Sequence, residues 1–198
     1  MTLTTFLALL LFSFASSITP GPNNIMLFAS GVNFGFWRTM PHACGIAFGF
    51  GILLFAVGAG LGVMITTIPE LLMIIKLLGG AYMLYLAWRI ANSGPVEAGD
   101  SGARPMTFFE AALFQWVNPK AWVMAVVAMS TYTAQGHYPT NVAIVIFAFV
   151  VINFPSVTIW AGFGTALRKF LQDPVKLRLF NILMAIALVL SLWPMLAI

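Results

Sequence analysis

Two short stretches hold the residues best suited to chemistry: Thr19-Pro20-Gly21-Pro22-Asn23-Asn24 and Asn118-Pro119-Lys120. Both interrupt long apolar runs. Two prolines and a glycine within three residues cannot continue a regular helix, because proline lacks a donor and clashes one turn back. Inside hydrocarbon, each amide or carbonyl released by such a break costs several kcal/mol unless it meets protein or water. Pro22 suits the first turn of a resumed helix, so Gly21 to Asn24 would present free amides and the positive end of a half-helix, an arrangement that attracts a carboxylate. Thr19, Asn23 and Asn24 add hydroxyl and amide groups that either pair with a small zwitterion or mend the break. Lys120 carries an ammonium into an apolar segment, where it needs a substrate carboxylate or the carbonyls freed by Pro119. Asn118 and Asn153 supply further amides. The candidate binding set is Thr19, Pro20, Gly21, Pro22, Asn23, Asn24, Asn118, Pro119, Lys120 and Asn153.

Other reactive types are sparse. Lys76 lies two turns inside an apolar run, where it either snorkels outward or supports the site. Glu110 is the one carboxylate placed within an apolar segment, so it is the candidate for carrying a coupling proton, with a solvated helix end as the competing role. Glu70 stands at a helix mouth, and Glu97, Asp100 and Asp173 fall in connections. His42 and His137 sit at span ends and are expected at the interface. Cys44 is the single cysteine, which excludes an internal disulfide and a CxxC pair. No His/Cys/Asp/Glu set has metal-ligand spacing, and there is no nucleophilic triad or phosphate-binding loop. Neither an enzyme nor a cofactor is expected.

These residues must be positioned by membrane helices. The 198-residue chain is 61% hydrophobic and 7% charged, with mean hydropathy +0.99, too little polar surface to coat a soluble globule. Spans of about 20 apolar residues cross a hydrocarbon core, and six can be read, at about 3–30, 41–65, 69–91, 106–134, 140–167 and 179–197. The first and fourth contain the two breaks. A cleaved leader is disfavoured because no basic residue precedes Arg38. Gly45/Gly49 and Gly58/Gly62 have the spacing that lets helix backbones approach closely in lipid. Residues 92–105 form the main polar loop.

The net charge of +4 is scattered, without the continuous basic face a nucleic acid needs. Connections after spans one, three and five collect Arg38, Arg89, Arg104, Arg168, Lys169, Lys176 and Arg178, seven basic residues, against none in the opposite connections and termini. This asymmetry places both termini outside and the 92–105 loop in the cytoplasm. Pro20 and Pro119 are 99 residues apart, half of 198. Each half, about 1–95 and 104–198, then holds three crossings, and an odd number inverts the second copy. The expected fold is all-α: one transmembrane domain of six helices, two inverted three-helix repeats, with the first and fourth helices broken and a site near the midplane.

The Thr19-Pro20-Gly21-Pro22-Asn23 motif, the segment from Lys76 to Trp88 with its glycines and Tyr85-Leu86, and Asn118-Pro119-Lys120-Ala121 together resemble the lysine exporter family, the LysE/RhtB amino-acid efflux proteins. The likeness covers essentially the whole chain and is nearest the cysteine/O-acetylserine and homoserine/threonine branch. It implies a bacterial inner-membrane, proton-driven secondary exporter of amino acids or their derivatives. Ala185, where the family often has glycine, and Glu110, where a small residue is expected, depart from its pattern. The expected partners are a small amino acid, protons and the lipid bilayer; whether the chain forms a homo-oligomer is left open. A small channel or inorganic-ion exporter, and a non-transporting membrane subunit, are the alternative functions.

Overall fold

Proline and capping residues set where the helices begin. In a computed structural model, which describes residues 1–93, 104–133 and 137–193, α1 spans Leu3–Ile18, and α2, Pro22–Phe34, opens on a first-turn proline. Gly35, at φ 83°, ends α2 and starts α3, Phe36–Ala56, in a single residue; its left-handed backbone is open to glycine at no steric cost. A π-helical turn, Val57–Leu61, kinks the chain at Gly60 (φ 114°) into α4, Gly62–Thr67. Then follow α5, Pro69–Ala91, α6, Phe108–Phe114, α7, Pro119–Tyr132, α8, Tyr138–Arg168, and α9, Pro174–Leu190. All regular structure among the described residues is helical.

Both proline breaks are present. α1 and α2 meet at a bend of 52°, and the apolar segment at 106–134 is divided into α6 and α7. Three boundaries differ from those expected: α2 runs on to Phe34 rather than ending near 30, and two helices start earlier. The second span starts at Phe36, so Pro41 lies inside α3. The last helix starts at Pro174, not near 179, because Asp173 Oδ1 accepts from the amides of Val175 and Lys176. An aspartate cap followed by proline is a stronger start signal than the onset of hydrophobicity, and it draws Lys176 and Arg178 into the helix. Glu97 and Asp100, the outer connection at 135–136 and the end of the sixth span at 194–197 lie outside the described residues.

Three helical stretches, Phe36–Met64, Met73–Ala91 and Tyr138–Arg168, are long and apolar enough to cross a membrane, and α1 with α2 makes a fourth if the bent pair is one span. The chain is thus a multi-pass membrane protein. Leu11, Phe147 and Phe163 are more than half exposed, as lipid-facing side chains are.

The long α8 is the hub, packing on α1, α2 and α3, while α3 also packs on α6, and α5 on α9. Lipid is as apolar as a leucine side chain, so close backbone approach and hydrogen bonding must supply much of the association. A Cβ on Gly45 would strike the Phe108 carbonyl, and one on Gly49 the backbone of Ala112, at the α3–α6 crossing. Gly31 and Gly164 play the same part between α2 and α8. The pair Gly58/Gly62 instead falls at the kink, where Tyr138 Oη donates to the Gly58 carbonyl at 2.6 Å.

Candidate functional site

The helix breaks free several carbonyls, and most of the polar side chains nearby go to them. At the first break Asn24 Nδ2 donates to the Ser17 and Thr19 carbonyls, each at 2.8 Å, and Trp160 Nε1 donates to the Ile18 carbonyl at 3.1 Å. Lys120 Nζ, arriving from α7, donates to the Thr19 carbonyl at 2.8 Å, to Thr19 Oγ1 at 3.0 Å and to the Pro20 carbonyl at 3.4 Å. The carbonyls of Ser17 through Pro20 are all satisfied. The second break is held by Trp122 Nε1 on the Trp116 carbonyl (2.8 Å) and by Asn118 Oδ1, which accepts from the Lys120 amide (3.2 Å).

The two breaks therefore touch. Asn23 Nδ2 donates to Gln115 Oε1 at 2.8 Å, and Gln115 Nε2 returns a bond to Asn23 Oδ1 at 3.2 Å. Asn153 on α8 donates to Ser17 Oγ at 3.1 Å. Gly21, Asn23, Asn24, Asn118, Lys120 and Asn153 line one cavity, with Gln115 and Ser17. Its volume is about 20 Å³, space for a water or two. The amide oxygens Asn24 Oδ1 and Asn153 Oδ1 are buried there without a hydrogen-bond partner among the described residues. The first turn of α2, opening at Pro22 after Gly21, has no side-chain cap, so its leading amides are free to take an anion. Pro119 is the first residue of α7 and serves as a breaker. An ammonium, the leading amides of α2 and two bare amide oxygens gathered around one cavity are groups that both ends of a zwitterion can bind.

Lys76 is half-buried on α5 and does not line this cavity. Glu110 is not enclosed by the helix: its carboxylate receives two bonds from Arg104 (2.6 and 2.7 Å) and one from the Thr107 amide (2.7 Å), and Thr107 Oγ1 caps α6 in return. His42 differs from its expected interface position, being 1% exposed. Gln115, wholly buried, was not singled out in the sequence. Its one sequence signal is its place four residues before Pro119, since its partner lies 92 residues away.

Broken, proline-started helices that meet inside a bundle of apolar spans, beside a small polar cavity, are an arrangement that membrane translocators use. The chain belongs to the LysE-type translocator family, whose model matches residues 14–192; it is a transporter and not an enzyme. Among its relatives, the cysteine/O-acetylserine efflux protein of Escherichia coli strain K12 is 32% identical over 133 residues, 67% of each chain. The protein of that name from Klebsiella pneumoniae is 31% identical over 132 residues, again 67% of each. No solved structure matches the chain.

Proposed function

We propose that the protein is a proton-driven secondary exporter of a small amino acid or amino-acid derivative in a bacterial inner membrane, working by alternating access around the cavity between the two breaks. The observation that carries this reading is Lys120 Nζ resting on the Thr19 and Pro20 carbonyls beside the unpartnered oxygens of Asn24 and Asn153. A substrate carboxylate draws Lys120 and the first amides of α2, and its ammonium takes the oxygens that Lys120 leaves. At about 20 Å³ the cavity is too small for an amino acid, so binding requires the helices around it to part. The relatives' substrates, cysteine and O-acetylserine, have the compact polar side chains such a site favours.

The six-crossing inverted repeat belongs to the same proposal. A two-fold exchange of α1–α2, α3 and α5 with α6–α7, α8 and α9 turns the α3–α6 contact into α8–α1. It maps the α3–α8 and α5–α9 pairs onto themselves, and all four pairings occur. Outward termini rest on the basic-residue asymmetry, supported by the nearness of Arg168 to Gly35 and of Arg89 to Arg104.

Purified protein in liposomes is expected to show counterflow of labelled O-acetylserine or cysteine, driven further by an imposed pH gradient. Lys120→Met is expected to abolish it while the protein still elutes as a single species. Undiminished counterflow in that variant removes Lys120 from the mechanism, and ion currents without counterflow would favour a channel.

A further inference from the structure

A second cavity opens between α2, α3, α5 and the segment ahead of α6, lined among others by Ser30, Asn33, His42, Arg89, Ser93 and Arg104. Its volume is about 50 Å³, room for about four waters or for the charged end of a small amino acid with its side chain in the open mouth. Most polar groups around it are committed. Asn33 and Asn181 exchange amide bonds at 2.8 and 3.0 Å, and Ser30 Oγ lies 2.8 Å from Thr39 Oγ1. His42 is the exception. Its ring is 1% exposed, and Nδ1 and Nε2 both lack a hydrogen-bond partner among the described residues. A buried polar group left unpaired is costly, so an imidazole kept here needs something to bind.

We infer that this cavity is a staging site for the zwitterionic end of the amino-acid substrate, with His42 as its central ligand. The neutral ring offers one donor and one acceptor on opposite edges: its N–H binds the substrate's carboxylate, and the second nitrogen accepts from a water held in the cavity. Arg89 from α5 and Arg104 from the segment ahead of α6 line the mouth, Arg38 lies over the ring of the lining Phe34, and Glu110 from α6 is near through Arg104. Arg89 donates to the Arg104 carbonyl at 3.1 Å, and Arg104 is paired with Glu110. Three arginines against one carboxylate leave a positive mouth, which concentrates a carboxylate. Asn23, Met26, Ser30 and Asn33 recur on one face of α2 at helical spacing, with Asn23 in the first cavity and the other three in the second. Asn23 and Ser30, near the middle of each lining on α2, are thus about 10 Å apart along one helix face, at 1.5 Å per residue. The arrangement rests on the export reading and extends it: substrate is held at His42 before it reaches Lys120.

The test is equilibrium binding of labelled O-acetylserine to the full chain purified in detergent, using Lys120→Met to disable the first site. That variant is expected to keep binding, His42→Leu on top of it to weaken affinity about tenfold, and His42→Gln, which retains a donor and an acceptor, to restore most of the loss. Arg89→Gln, at the mouth, is a second variant expected to weaken binding without touching the buried ring. No binding in the Lys120→Met protein, or binding indifferent to both His42→Leu and Arg89→Gln, overturns the inference. His42-dependent binding in a protein without counterflow keeps this site and removes the export reading. Counterflow without such binding does the reverse.

Discussion

At the scale of single residues, the site is built on reciprocal amide pairing. Asn23 and Gln115 exchange two bonds across the breaks, so truncating one partner strands the other. Gln115→Leu is expected to cost about 1–3 kcal/mol, read from the thermal unfolding midpoint in detergent. Adding Asn23→Val should then cost much less than it does alone, because neither amide remains to be left unpaired. Additive losses would mean that the pair is not coupled. Glu110 makes the opposite case. Its pairing with Arg104 lies at an exposed helix end, with Arg104 52% exposed, where an ion pair contributes at most about 1 kcal/mol. Glu110→Gln is therefore expected to leave counterflow and its pH profile almost unchanged. A flattened profile would bring Glu110 back as the coupling carboxylate.

At the scale of helices, the bundle depends on where backbones touch. Gly49 faces the backbone of Ala112, whereas Gly80 has nothing within 4 Å of an added Cβ. Gly49→Leu should destabilise by at least about 2–3 kcal/mol through overpacking and lower the yield of folded protein; Gly80→Ala should not. Equal yields would show that the α3–α6 crossing does not depend on this approach. What could be read from sequence follows the same division between local and distant contacts. The proline starts of α2 and α5 and the break at Pro119 are legible because proline acts on its own helix, whereas Pro41, a candidate start for the second span, lies inside α3. The onset of α9 differs from the expectation near 179 because continuous hydrophobicity begins only there, while the Asp173-Pro174 cap starts the helix five residues earlier. Asn24 was legible as a group beside the break, with its direction open: its amide nitrogen mends the break, and its oxygen is left bare. The surroundings of Gln115 and His42 are not legible locally, since one has its partner 92 residues away and the other lines a cavity with three other segments.

At the scale of the whole molecule, the second cavity and the first lie along α2, so the direction of transport depends on which end of α2 faces the cytoplasm. The C-terminal end of α2 meets Arg168 at Gly35 and shares a cavity with Arg89 and Arg104. At the far end of the bundle Tyr138 bonds the Gly58 carbonyl, and the connection from α4 to α5 holds no basic residue. Basic residues are retained on the cytoplasmic side during insertion, so the His42 cavity should open inward and an exported amino acid should meet it first. Single cysteines in a Cys44→Ser background provide the test. In intact cells, a membrane-impermeant maleimide is expected to label Thr67→Cys, at the exposed end of α4, and to spare Lys169→Cys, exposed just after α8, until the cells are permeabilised. The reverse pattern would turn the protein over, put His42 at the exit and make the same cavity a release site.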